Sequence, residues 1–314
     1  MTAVPSTEQV WRSLEAVDAA PCVATIGFFD GVHRGHRALV DRARRAARRH
    51  GVRAVAVTFD RHPMEVVRPG EQPPLLTTLE RRVRALLEAG VDRALVLPFT
   101  EELSRLSPSA FVERVIVDVL DARLVVVGTN FRFGHRAAGD VAMLTELGAA
   151  RGVEVEAVDV VHLDGVPISS TEIRRRLADG DVTWAREALG RPHLLDGVVV
   201  RGDRRGRRLG VPTLNVEVPP ILAFPANGVY AGHVTTPAGR FAAVTSVGTR
   251  PTFGGDTVTV ESHLLDFDGD LYGAHVEVEF AHRLRDEVRF DSVSALVAAM
   301  HDDIARGREL LAPG

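Results

Sequence analysis

The chain has 314 residues, 45% of them hydrophobic and 25% charged, with a net charge of −4. That is the profile of a soluble globular protein long enough for two domains, and its slight acidity argues against a general nucleic-acid binder. The lone Cys22 has no partner for an internal disulfide, no apolar run reaches membrane-spanning length, and no secretory leader precedes it, so a reducing cytoplasm is expected. All 38 basic residues other than histidine are arginines, a bias to which we attach no functional meaning.

Apolar strand candidates at residues 23–28, 54–59, 94–98, 124–127 and 153–158 alternate with helical patterns at about 36–50, 78–90, 108–120 and 139–151. Alternation at this pace predicts a parallel sheet covered on both faces, a Rossmann-like α/β domain. In such sheets a ligand sits beyond the carboxyl ends of the strands, where strand order reverses. After Gly190 the texture changes to β-branched runs at 194–200, 230–235, 241–247, 257–265 and 274–280, with a hairpin signal at 236–239. This predicts a small antiparallel barrel or sandwich, closed by an amphipathic helix from 293 to about 311. We place the domains at 1–186 and 187–314.

The most informative stretch is GFFDGVHRGH at 27–36, which follows the apolar run CVATI and opens a helix. Gly27, Gly31 and Gly35 permit tight turning and close approach of backbone to a ligand. His33 and His36 are three apart at the helix start, so both rings can face one site. Free amides at a helix N-terminus together with two imidazoles suit a phosphate. Histidines at this spacing also bind zinc, but no third ligand lies nearby in sequence, and a metal would leave the glycines without a role.

Further motifs follow later strands. GTNFRFGHRAAGD at 128–140 places Asn130, Arg132 and glycines at the mouth of the sheet. ISSTEIR at 168–174 is a helix start that taken alone reads as a plain cap with a solvent arginine; beside a histidine phosphate site the balance turns to Ser170, Thr171 and Arg174 for the outer phosphates of a nucleotide. TFDRHP at 58–63 either lines a substrate pocket through His62 and Pro63 or is a proline-ended loop. Neither a P-loop nor a G-x-G-x-x-G opening a helix is present.

In the second half, GDRRGRRLGVPTLN at 202–215 is a solvated charged loop, a nucleic-acid contact, or a backbone cradle for phosphates built on Gly202, Gly206, Arg207 and Gly210. Thr213 and Asn215 are two apart, so on an extended segment they share a side and could hold magnesium between phosphates. In TVESH at 259–263, Glu261 and His263 share one face, with Val260 and Ser262 on the other. A carboxylate facing the inside of a small barrel is costly unless used, and could serve as a base; the alternative is a surface glutamate on an edge strand.

Taken together, GFFDGVHRGH, TFDRHP, LSPSAFV, VVVGTNFRFGHRAAGD and ISSTEIR, then GRRLGVPTLN, NGVYAG, SVGTRPTF, ESHLLDFDGDLYG and LRDEVRFDS, resemble the prokaryotic bifunctional riboflavin kinase/FAD synthetases over nearly the whole length. The H-x-G-H pattern alone marks only the wider nucleotidyltransferase superfamily; two motif sets in this order are far more specific. The resemblance implies a flavin-biosynthetic transferase with two ATP-dependent steps: phosphorylation of riboflavin to FMN by the second domain, and adenylylation of FMN to FAD with release of pyrophosphate by the first. It implies catalytic roles for His33 and His36 in adenylyl transfer and for Glu261 as kinase base. ATP would be held by Gly27, Phe28, Asp30, Gly35, Asn130, Ser170, Thr171 and Arg174, flavin by His62 and Pro63, and Mg²⁺ by Thr213 and Asn215.

Its partners would be riboflavin, FMN, FAD and ATP, without nucleic acid or membrane; a homo-oligomer is compatible with this. The family usually has alanine where this chain has Leu214, which should point away from Thr213 and Asn215. Two rivals remain at this level. One is a single-activity adenylyl- or cytidylyltransferase with a product-binding β-domain. The other is a flavin- or nucleotide-sensing regulator that binds nucleic acid through Arg204, Arg205, Arg207 and Arg208.

Overall fold

Cys22–Ile26 is apolar and buried along its whole length, as befits a central strand covered on both faces. The computed structural model describes residues 9–202, 206, 209–252 and 255–312, with 251, 252, 255 and 256 defined by backbone alone. Six parallel strands form the first sheet: β1 (Val10–Trp11), β2 (Cys22–Ile26), β3 (Arg53–Phe59), β4 (Arg93–Leu97), β5 (Ala122–Gly128) and β6 (Glu154–Val158). Their order is β1-β4-β3-β2-β5-β6. The order reverses at β2, which pairs with β3 on one side and β5 on the other, so the crevice beyond Ile26 is the topological switch point. The two-residue β1 gave no sequence signal; it is fixed by parallel pairing with β4 and by Trp11 lying under the Arg53 guanidinium.

Helices flank this sheet as the periodicity predicts. α1 (Arg34–His50) buries Val40, Ala43, Ala46 and Ala47, a stripe at helical spacing, and ends at Gly51 in the left-handed conformation. The short α2 (Pro63–Val67) follows β3, and α3 (Leu79–Glu88) is capped by the Thr78 hydroxyl. The expected helix at 108–120 divides into α5 (Pro108–Phe111) and a π-helical run, Val112–Val119, preceded by the single turn α4 (Glu101–Ser104). α6 (Val141–Ala149) then leads into β6. A small hairpin, β7 (His162–Leu163) and β8 (Val166–Pro167), closes this part.

The chain divides into two compact units, one of residues 1–73 and 78–169, the other of 74–77 and 170–314. The second unit contains α7 (Ser170–Ala178) and α8 (Val182–Leu189), the latter unforeseen and capped by Asp181. The strands that follow are β9 (His193–Val200), β10 (Leu214–Glu217), β11 (Gly228–Thr236), β12 (Gly239–Thr252), β13 (Gly255–Leu264), β14 (His275–Phe280) and β15 (His282–Arg285). The order β12-β13-β10-β9-β14-β11 returns to β12, so six strands close into an antiparallel barrel rather than a sandwich, with β15 added along β11. α9 (Val293–Leu311) packs on β11, β12 and β15, pinned by a bidentate Arg285–Asp303 pair at 2.8–3.1 Å.

Closure depends on Gly232, at the point where β11 changes partner from β15 to β14. A Cβ there would lie 1.8 Å from the Glu279 carbonyl oxygen. Gly232→Ala is therefore expected to destabilise this unit by about 1–3 kcal/mol or more, the scale of core overpacking. The check is the urea midpoint of the purified variant.

His193 is a second structural determinant, 1% exposed, with Nε2 donating to the Ala223 carbonyl at 2.8 Å. Burial pushes its pKa down from 6.5 to about 4. The folded state thus favours neutral imidazole. The stability held by this group is intact above pH 6.5 and is lost as pH falls towards 4, by about 3 kcal/mol in all. Urea unfolding at pH 7, 5.5 and 4.5 should show this loss, and His193→Gln should flatten it.

Candidate functional site

Past the end of β2 the chain turns sharply. Phe29, Gly31 and Val32 have φ of 56°, 80° and 41°. A β-branched residue such as Val32 is strained there, by about 1–3 kcal/mol, and holds only because the surroundings fix it. Phe29, Asp30, Val32 and His33 are all buried, which supplies that constraint. The turn thus delivers the start of α1 to the switch point in one rigid conformation.

His33 caps α1, its Nδ1 accepting from the His36 amide at 3.3 Å. An accepting Nδ1 leaves the proton of the neutral ring on Nε2. The amides of Arg34 and Gly35, in the first turn, have no acceptor within the helix. The His33 and His36 rings stack, with centroids 3.6 Å apart and planes at 19°, and the edge of one aromatic, Phe29, meets His36 at 5.2 Å. Two positive charges at that separation would repel by about 4–5 kcal/mol at an effective dielectric near 20, so the pair holds at most one proton beyond neutrality. His36 itself is held well below the usual imidazole range by burial, by His33 and by the positive charge of Arg82. Gly35 leaves the stack little room to spare: a Cβ there would meet the His33 ring at 3.1 Å, and the ring would have to shift by a few tenths of an ångström.

Phe28, the residue before Phe29 in the turn, has the edge of His62 against it at 4.8 Å and the Arg82 guanidinium over its face at 4.1 Å. His62 and Pro63 do form the start of a helix. His62 Nδ1 accepts from the Met64 amide at 3.1 Å while Glu65 reaches back to the His62 amide, a complete capping box. Asn130 is exposed in the turn after β5, the strand beside β2, and Gly128 admits its side-chain oxygen at a spacing that a Cβ would close to 2.9 Å. Gly27, Phe28, Asp30, His33, Gly35 and His36 therefore come together in one turn, with Asn130 at the end of the next strand.

Ser170, Thr171 and Arg174 are on α7 in the second unit. Arg174 Nε donates to the Pro74 carbonyl at 2.5 Å. Its neighbours Arg175 and Arg176 are taken up by Glu172, Asp179 and Asp181, so α7 presents its arginines unequally. Glu172, bonded to both, is lowered to about 2.

In the barrel, Asn215 on β10 pairs directly with Glu261 on β13. Thr213 donates to Glu261 Oε2 at 3.4 Å, and Arg250 to Oε1 at 2.7 Å. The alternation places Val260, Ser262 and Leu264 in the buried interior and Glu261 with His263 on the outer face. The expectation of a carboxylate inside the barrel is thus corrected. Nor is the strand an edge, since β13 pairs with both β10 and β12. A charge on the outer face keeps water or a ligand within reach, which the interior of a barrel this small would deny.

Leu214 is half-buried and shares the face of buried Val216, opposite Asn215. Gly202 and Gly206 sit where side chains would collide: a Cβ would meet the Asn215 amide at 2.4 Å in one case and the Val211 carbonyl at 2.3 Å in the other. Gly210 turns with φ of 80°. Arg207 falls outside the described residues, as do Arg204, Arg205 and Arg208. Among the described residues no three His, Cys, Asp or Glu side chains form a metal cluster. A hydroxyl, an amide oxygen and a carboxylate in one cluster are hard oxygen donors, the chemistry Mg²⁺ accepts when phosphates complete its shell.

The FAD synthetase family matches residues 15–172 and the riboflavin kinase family residues 189–311. The bifunctional riboflavin kinase/FMN adenylyltransferase of Pseudomonas fluorescens is 42% identical over 293 residues, covering 93% of this chain and 94% of that one. The chain belongs to the bifunctional riboflavin kinase/FMN adenylyltransferase family. The Escherichia coli K12 member is 36% identical over 302 residues, 95% of this chain and 96% of its own. A crystal structure from Streptococcus pneumoniae, described as a macrolide-efflux protein, has the same fold as this chain, with a TM-score of 0.88 at 31% identity over 95% of this chain and 98% of that one. Among the described residues no helix is long and apolar enough to cross a membrane.

The sequence reading of this family member missed Arg82. It is 1% exposed, yet it is an arginine in a helix whose other buried residues are Val83, Ala85 and Leu86. A signal was present: Arg82 stands three after Leu79 and four before Leu86, on the apolar stripe rather than the polar one. The same is true of His33 as a cap, since imidazole is not among the usual capping side chains.

Proposed function

We propose that the protein's two reactions are served by the two side-chain clusters just described, adenylylation by residues 1–186 and phosphorylation by residues 187–314. The family's reactions are phosphorylation of riboflavin by ATP to FMN, and transfer of AMP from a second ATP to FMN, giving FAD and pyrophosphate. The observation that supports the adenylylation site is the stacked His33–His36 pair capping α1 at the strand-order reversal.

In that reaction an FMN phosphate oxygen attacks the α-phosphorus of ATP and pyrophosphate leaves. The His33 Nε2–H and the amides of Arg34 and Gly35 are assigned to the α-phosphoryl oxygens, as donors to the negative charge that gathers there. Gly27, Phe28, Asp30, Gly35 and Asn130 shape the nucleotide site. Ser170, Thr171 and Arg174 are assigned to the outer phosphates on their hydroxyl and guanidinium chemistry. His62 and Pro63 are assigned to flavin through the contact of His62 with Phe28.

In the kinase reaction Glu261 takes the proton of the riboflavin 5′-hydroxyl as that oxygen attacks the γ-phosphorus. Gly202, Gly206, Arg207 and Gly210 are assigned to the phosphate loop, and Thr213 and Asn215 to Mg²⁺, which when bound neutralises charge on the phosphate oxygens. Neither reaction requires a covalent enzyme intermediate; positioning and charge stabilisation suffice. The test is the purified chain with riboflavin, ATP and Mg²⁺. Sequential FMN and FAD are expected; FAD formation from FMN without any FMN formation from riboflavin would refute the kinase assignment.

A further inference from the structure

On the outer face of the barrel Glu261 is held from two sides. One carboxylate oxygen, Oε1, accepts from Arg250 Nη2 at 2.7 Å, and the other, Oε2, meets the Thr213 hydroxyl at 3.4 Å. Neither proposed reaction assigns Arg250 a task. It stands on β12 opposite Thr257 of β13, while Glu261 stands opposite Ser246. The strand pairing therefore offsets the two residues by four positions, about 13–14 Å at the rise of an antiparallel strand. Ser246 and Arg250 alternate onto the same face, and only two long side chains running towards each other along it can close that distance. Such a contact does little for folding. The Arg250 side chain is 50% exposed and that of Glu261 28%, so solvent screening and the entropy of fixing two long side chains cancel most of the attraction. Its effect is on orientation: it occupies Oε1 and leaves Oε2 turned towards Thr213, on the side of β10 where Asn215 pairs directly with Glu261.

We propose that Arg250 is a positioning residue for riboflavin phosphorylation, holding Glu261 by one oxygen so that the other faces Thr213 and Asn215 and is the one that takes the proton. The proposal rests on the reading of Glu261 as the base. In the step it serves, the O–H bond of the 5′-hydroxyl breaks and its proton passes to Oε2, while the hydroxyl oxygen bonds to the γ-phosphorus and ADP leaves. An unheld glutamate on an open face shares its time among several rotamers and offers either oxygen. Misplacing a catalytic group by about 1 Å can cost 10²-fold in rate. Arg250 thus acts through Glu261 and touches neither substrate.

The experiment measures steady-state FMN formation from riboflavin, ATP and Mg²⁺ by the full chain carrying Arg250→Met or Arg250→Lys, each in the native and in the Glu261→Gln background. Arg250 is exposed, so the substitutions leave the core untouched, and the urea midpoint of each variant should match that of its parent. In the native background Arg250→Met should lower kcat about 10- to 10²-fold, with KM for riboflavin and for ATP within about twofold. Lysine can make the same contact through its single nitrogen and should recover most of that loss. In the Glu261→Gln background Arg250→Met should change kcat by less than about twofold, because the group it positions is already disabled. Equal losses in both backgrounds would mean that Arg250 acts on substrate or on the fold rather than through Glu261, and would overturn the proposal. So would an Arg250→Met kcat equal to the native one, with or without the raised KM for ATP that marks a phosphate ligand. A Glu261→Gln chain of normal kcat is a different failure: it removes the base itself, and the proposal with it, without any change at Arg250.

Discussion

Replacing His33 with alanine is expected to slow FAD formation from FMN about 10²- to 10³-fold, the scale for losing one preorganised donor to a transition-state oxyanion. The residue does two things in the structure: it caps α1 through Nδ1 and lies flat on His36 at 3.6 Å. Alanine removes both, so part of the loss will be the position of His36. His33→Asn separates them, because an asparagine still caps a helix but brings no ring. Its adenylylation should stay low while its thermal midpoint recovers relative to alanine. In either variant FMN formation from riboflavin should be nearly intact, measured by separating FMN from FAD over time. Comparable damage to both reactions would mean that the reactions are not divided between the two clusters.

Glu261→Ala should give the reverse pattern, a fall of about 10²-fold or more in riboflavin phosphorylation from the missing base, with adenylylation of supplied FMN preserved. The structure adds a qualification to how it acts. One carboxylate oxygen is engaged by Arg250 at 2.7 Å and the other faces the Thr213 hydroxyl at 3.4 Å. The longer contact is the one a substrate hydroxyl can replace. Glu261→Gln, which keeps the shape and loses the acceptor charge, should be as impaired as alanine in kcat while leaving KM for riboflavin little changed. A glutamine enzyme with normal kcat would remove Glu261 from the chemistry and leave it as the partner of Arg250.

Much of the site was legible because its residues are local in sequence. A turn such as GFFDGVHRGH has to be built from consecutive residues; its glycines announce a tight bend, and its histidines carry the chemistry of the proposed phosphate site. The strand alternation in TVESH likewise showed that Glu261 and His263 share a face. It could not show which face is the interior. That depends on how β13 lies against β10 and β12, and the buried row proved to be Val260, Ser262 and Leu264. Closure of the barrel was also beyond local reading, since it rests on β11 pairing with β12 and β14 at once, between residues far apart in the chain.

Arg82 makes the same point about charge. By residue type it belongs to the surface, where arginine is nearly always found. By position it lies on the apolar stripe of α3, and only the packing of that helix behind the turn reveals that a cation stands over the ring of Phe28. The sequence alone settled what short-range rules govern: the strand–helix alternation of the first half, the glycine-rich turn at 27–36 and the residue types that the turn carries. The tertiary structure decided what depends on contacts across the chain, namely the reversal of strand order at β2, the outward aspect of Glu261 and the burial of Arg82, because solvent exclusion is a property of packed layers and is not written in any single segment.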